Sequence, residues 1–149
     1  MKMKKWIAVG LAAGMSLSMF AGCQKNDSET NSSDATNSTL KDGTWTAEAE
    51  KFDDHGWKPN ISIQVAEGKI TEVAFDYVNE DGQSKKEDEG YNTAMKEKSG
   101  TNPKEAFPEL EKQLVEKQDV DAVDVVTGAT SSSESFKEMA KEALKQARE

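Results

Sequence analysis

The residues best placed to do chemistry lie together in Asp124-Val125-Val126-Thr127-Gly128-Ala129-Thr130-Ser131. Two β-branched apolar residues run into a small, hydroxyl-rich turn. The strongest helical pattern in the chain follows at once, with Phe136, Met139, Ala140, Ala143, Leu144 and Ala147 recurring at helical spacing. Ser131 is placed to act as N-cap, with Glu134 three residues on as its capping-box partner. A strand that turns directly into a helix leaves backbone N–H groups unpaired at the positive end of the helix dipole, where an anion is favoured. Gly128 and Ala129 have almost no side chain, so a bulky group can approach the backbone there. The residues alone describe either a phosphate site or an ordinary helix cap.

The elements that must position this stretch fit an α+β fold, a small antiparallel sheet packed with two to three helices and preceded by a disordered tether. The folded part, residues 40–149, begins near Leu40. After the turn at Asp42-Gly43, Trp45, Ala47 and Ala49 alternate with polar residues, as a strand with one apolar face requires. Phe52 to Pro59 reads as a loop. Ile61, Ile63 and Val65 alternate next, Glu67-Gly68 makes a hairpin turn, and Val73, Phe75 and Tyr77 share one face of a third strand. Ile70 has the opposite parity, which predicts a bulge or an early strand start. Asn79 to Gly90 is a charged loop whose Asn79, Asp81 and Gly82 only partly match a calcium loop. Tyr91, Ala94, Met95 and Lys98 suggest a short helix. Pro108 lacks an N–H, so the next helix is expected from Pro108 to about Gln118, with Leu110, Leu114 and Val115 inward. Asp121 to Val126 should be the last strand.

Ahead of this domain, residues 1–22 read as an export signal. Lys2, Lys4 and Lys5 precede an uncharged, mostly apolar run from Trp6 to Phe20, too short for the roughly 20 residues that a membrane span needs. Phe20-Ala21-Gly22-Cys23 resembles a bacterial lipobox, in which the cysteine is lipidated and becomes the mature N-terminus. Residues 24–39 contain no large apolar residue and read as a flexible tether whose ends lie on the order of 20–25 Å apart. Cys23 is the only cysteine, so neither an internal disulfide nor a Cys-based metal site is available. Residues 23–149 carry a formal charge of −12, which repels nucleic acid and anionic lipid headgroups. Membrane association is therefore expected through the lipid anchor only.

Asp-x-x-Thr-Gly-Ala-Thr-Ser resembles the flavinylation motif of the FMN-binding domain family, which includes the C subunit of sodium-pumping NADH:quinone oxidoreductase and the G subunit of the Rnf complex. The resemblance covers roughly residues 40–147. It implies FMN joined through its phosphate to the hydroxyl of Thr130, the second threonine, and not to Thr127. It also implies a separate flavin transferase that uses FAD as donor, with this chain as its substrate and not itself an enzyme. Asp124 then either helps the transferase engage the motif or orients the turn. A signal, a tether and one such domain look most like lipoproteins of Gram-positive extracellular electron transfer. Such a protein sits on the extracytoplasmic face of the cell membrane and passes electrons from a membrane donor to an extracellular acceptor.

Trp57, Tyr77 and Tyr91 are candidates to pack on the flavin ring, each with a simpler reading as a core or loop aromatic. Lys58 and Lys85 could lie near the ring, although a lysine is ordinarily solvated. His55, the only histidine, stands beside Asp53 and Asp54 in what reads as a solvated turn, so no metal site is expected. Two other readings remain open from the sequence. One is an unmodified domain of this fold that binds a ligand or partner. The other is a precursor whose released signal peptide is the active product.

Overall fold

The computed structural model describes residues 39–148. The expected leader, Cys23 and the tether up to residue 38 lie outside the described residues. Three strands, β1 (Gly43–Glu48), β2 (Trp57–Ala66) and β3 (Lys69–Asn79), form an antiparallel sheet in the order β1-β2-β3. Three helices follow: α1 (Glu89–Ser99), α2 (Pro103–Lys117) and α3 (Thr130–Gln146).

The period-two pattern sets the register. Ile61 pairs with Phe75 and Ile63 with Val73, which puts Trp57, Ile61, Ile63, Val65, Val73, Phe75 and Tyr77 on one buried face. Glu67 and Gly68, both with positive φ, close the two-residue hairpin between them. The parity break at Ile70 is a bulge: Gln64 pairs with Glu72 but Val65 with Ile70, so Thr71 has no partner and Ile70 turns inward. α2 lies along β3, and α3 crosses β1 and β2. At the centre, the Phe75 ring meets Phe107 at 4.9 Å, Phe136 at 5.2 Å and Tyr77 at 5.4 Å, all edge to face.

Three boundaries differ from the sequence reading. β2 starts at Trp57, inside the expected Phe52–Pro59 loop, because Asp53 Oδ1 accepts from the backbone N–H groups of His55 and Trp57 and closes a tight turn ahead of it. α2 starts at Pro103 and not at Pro108. Asn102 caps it by accepting from Glu105 N (3.0 Å), Pro103 occupies the first turn where its missing N–H costs nothing, and Pro108 interrupts a single bond. Asp121 to Val126 is not a strand. The edge of β3 that it would pair with is already covered by α2: Gln118 accepts from Ile70 N (2.8 Å) and donates to Ile70 O (2.7 Å), and Glu111 accepts from Phe75 N (2.8 Å). The segment runs instead as a loop that buries Val120 and Val123.

Candidate functional site

A cleft of about 630 Å³ opens where the start of α3 meets the β1–β2 loop, α1 and the loop before α1. Thr130, Ser131, Ser132 and Ser135 form one wall, and Tyr77, Lys85, Tyr91 and Met95 form the opposite wall and floor.

The α3 wall is built differently from the expected cap. The helix starts at Thr130, two residues early, and its N-cap is Ala129 (φ −130°, ψ 41°), which has no side chain to offer. Ser131 is therefore inside the helix and exposed, and Ser131 with Glu134 forms no capping box. The first turn holds no acidic residue. Among the described residues, the N–H groups of Thr130, Ser131 and Ser132 have no hydrogen-bond partner. Ser133, which the sequence reading did not single out, does the bracing. It is fully buried, its Oγ donates to Ala129 O (2.8 Å) and accepts from Val126 N (3.1 Å), and its own N–H bonds Ala129 O (2.9 Å). The turn is thus held from beneath while its outer N–H groups stay open.

Gly128 and Ala129 both line the cleft, and Gly128 serves a second purpose inside the fold. Its φ is +83°, and a Cβ there would lie 2.3 Å from Ser99 O and 3.2 Å from Thr101 Cγ2. The space it clears is filled by the α1–α2 link, not by a group arriving from solvent. Ala129 is likewise buried in the core. Thr127 and Thr130 are both exposed, but only Thr130 lines the cleft. The Asp124 carboxylate makes no bond to the turn among the described residues. It lies in solvent and accepts from Lys117 Nζ (2.7 Å), and this ammonium holds it below the usual carboxylate range.

The three aromatics singled out from the sequence come together, around Lys85. The Lys85 Nζ lies 4.4 Å from the Tyr77 ring centroid, 4.5 Å from Tyr91 and 5.2 Å from Trp57, and Trp57 meets Tyr91 edge to face at 5.9 Å. Trp57 stands behind the cleft wall while the two tyrosines line it. Lys85 is only 6 % exposed, and among the described residues its ammonium has neither an ion pair nor a hydrogen bond. Burial pushes its pKa below that of an ordinary lysine, with Asp53 and Asp76 opposing. Burial pushes the Tyr77 phenol up, against the pull of the Ser135 and Ser132 hydroxyls, and burial together with Asp53 and Asp88 does the same to Tyr91. Lys58 is not in this box; it pairs with Glu48 and lies over Phe52.

The site therefore offers open N–H groups for an anion, an adjacent hydroxyl, aromatic walls and one ammonium, carried on a largely buried lysine, that reaches the cleft without an ion pair. Its volume lies within the range of about 300–1,000 Å³ typical of small-molecule and cofactor pockets. The orphaned Lys85 ammonium and the open start of α3 both suit an anionic, ring-bearing nucleotide such as FMN.

Comparison with known proteins agrees. Residues 56–145 match the family model for the FMN-binding domain. The chain is 40 % identical over 111 residues to a 15 kDa lipoprotein of Treponema pallidum, covering 74 % of this chain and 79 % of that one. It is similar to a crystallised Clostridium perfringens protein (TM-score 0.71, 51 % identity, 72 % of this chain and 88 % of that one). It is also similar to a Clostridium thermocellum protein solved in solution (TM-score 0.51, 30 % identity, 74 % and 94 %). The chain belongs to the FMN-binding domain family.

Proposed function

We propose that this protein is a lipid-anchored flavoprotein electron carrier with FMN joined covalently to Thr130. The observation that carries the reading is the start of α3. Thr130 presents its hydroxyl at the mouth of the cleft, beside backbone N–H groups that no group among the described residues satisfies. A phosphoester oxygen would complete that helix end as a side-chain cap does elsewhere.

The attachment would be made by a separate flavin transferase. The threonine O–P bond forms, the pyrophosphate bond of FAD breaks, AMP leaves, and the hydroxyl proton passes to a base of the transferase. No base of this chain stands in hydrogen-bond contact with the Thr130 hydroxyl among the described residues, which supports a hydroxyl activated by another protein. Asp124, exposed and turned away from the turn, is proposed as a contact for that enzyme. The bound flavin would supply one- and two-electron chemistry. This chain's residues would fix the phosphate, flank the ring with Tyr77 and Tyr91 backed by Trp57, and limit water access with Met95. A covalent bond suits a site facing dilute medium, since even nanomolar affinity, about 12 kcal/mol, lets a free flavin leave. A relative named as a lipoprotein supports lipidation at Cys23, and no helix among the described residues is long and apolar enough to cross a membrane. The electron donor would be a membrane reductase and the acceptor would lie outside the cell.

Intact mass of protein from its native membrane tests the reading. The folded chain should carry one FMN less one water and fluoresce yellow-green after denaturation. Thr130→Ala should lose both, whereas Thr127→Ala should keep them. Colourless native protein in a host that flavinylates other proteins would overturn it.

A further inference from the structure

We propose that Lys85 is the residue that sets the balance between oxidised and reduced flavin in this cleft, its ammonium answering the negative charge that a flavin ring gains on reduction. The inference deepens the flavin reading and rests on it. At neutral pH, two electrons from an external reductase and one proton from solvent convert the neutral oxidised ring into a reduced ring with one negative charge.

The observations point to a built feature and not a stray side chain. Lys85 is held by its backbone on both sides: its N–H donates to Tyr77 O (2.9 Å), and its carbonyl accepts from the buried Asn92 Nδ2 (3.0 Å). Its ammonium is then sunk among three aromatic rings at the cleft wall, and the nearby carboxylates are engaged elsewhere. Asp53 Oδ1 accepts from His55 N and Trp57 N at 2.9 Å each. Asp76 accepts from Ser84 Oγ and from the backbone N–H groups of Tyr77 and Lys86. Aromatic faces favour a cation but do not neutralise it. An ammonium on a largely buried side chain with no carboxylate in contact is a local source of positive potential, lessened but not cancelled by Asp53 and Asp76, and it lines the cleft. The phosphate has the open N–H groups of α3 to meet it, so Lys85 is left to act on the other charged state, that of the ring.

The test is the midpoint potential of the full flavinylated chain, measured with mediators at pH 7, for the parent, Lys85→Met and Lys85→Arg. Lys85→Met should keep its flavin by intact mass and bind the reduced ring about tenfold less tightly relative to the oxidised one. For a two-electron couple, that lowers the midpoint by about 30 mV. Lys85→Arg keeps the charge and should restore most of the difference. An unchanged potential in a fully flavinylated Lys85→Met would overturn the inference and leave the flavin reading intact. So would equal weakening of oxidised and reduced FMN, since it assigns Lys85 to the phosphate. If the parent carries no flavin, the flavin reading fails separately. The inference is then read from the affinities of the apo chain for free oxidised and reduced FMN, where Lys85→Met should lose the same tenfold ratio and an unchanged ratio overturns it.

Discussion

Gly128→Ala separates the two readings of the glycine beside Thr130. If the glycine clears room for an incoming cofactor, alanine leaves the apo fold unharmed. The structure gives the opposite expectation. At φ +83° an alanine is strained by about 1–2 kcal/mol. Its Cβ would sit 2.3 Å from Ser99 O, a backbone atom that cannot swing aside, so the α1–α2 link must move, at about 1–3 kcal/mol more. The stiffer unfolded chain returns about 0.4–1 kcal/mol. The net loss is about 1–5 kcal/mol, a large part of the roughly 5–15 kcal/mol of a domain this size. Gly100→Ala is the internal control, because it has a similar φ of +79° with nothing within 4 Å of the new Cβ. It shares the strain and the unfolded-state gain but not the collision, and should cost about 1 kcal/mol or less. Urea unfolding of the unflavinylated chain reads the difference. With a slope of about 1.5 kcal/mol per molar, the Gly128→Ala midpoint should fall about 1 M or more below that of Gly100→Ala. Equal midpoints would refute the reasoning and return the glycine to the cofactor.

Two further outcomes follow from the cage. At pH 7 Lys85→Met should leave the apo domain as stable as the parent or up to about 1 kcal/mol more so, because it removes a partly desolvated ammonium that has no ion pair and keeps an unbranched apolar stem against the rings. The sign of its pH dependence is fixed by the lowered pKa. Between that value and the ordinary 10.5, the unfolded chain keeps a proton that the folded chain has lost, so parent stability rises with pH and the advantage of the variant shrinks. Urea midpoints at pH 7 and 9 check this, since the raised Tyr77 and Tyr91 phenols begin to remove stability as pH approaches their ordinary value of 10. Asn92→Ala removes a 3 % exposed amide that donates to the carbonyls of Lys85, Lys86 and Asp88 and accepts from Lys104 N. It should cost about 2–4 kcal/mol and raise hydrogen exchange at the Lys104 amide, and an unchanged urea midpoint would count against it.

The sheet was legible because its faces differ. Ile61, Ile63, Val65, Val73, Phe75 and Tyr77 alternate with polar residues, and the parity of Ile70 predicted the bulge. What was misread depended on partners distant in sequence. Nothing local says that Gln118 and Glu111 cover the edge where a fourth strand was expected. Nothing local says that Ser99 fills the space beside Gly128. Lys85 looks solvated within Lys85-Lys86-Glu87-Asp88-Glu89, because the cage walls come from β2, β3 and α1. One signal was present. The chain after β3 folds back to pair Val78 with Ser84, which puts Lys85 across from Tyr77, and residues directly opposite in an antiparallel pair share a face. Inward Tyr77 therefore implies inward Lys85, once that turn is recognised.

The acidity of the chain and the chemistry of its cleft act at different ranges. The formal charge of −9 on residues 39–148 (15 basic against 24 acidic) is spread over a surface whose field fades over a Debye length of about 8 Å at physiological salt. An anionic nucleotide approaching such a surface is repelled. It is held only where the protein offers positive potential at contact and without intervening water. The start of α3, free of acidic side chains, and the caged Lys85 are two such places, and they line one cleft. On this account, acids can change freely over the outer surface, but one added in the first turn of α3, or beside Lys85 in addition to the Asp53 already in the cleft, opposes the cofactor directly. A domain this acidic can therefore hold an anion because its positive groups, though few, line the same cleft.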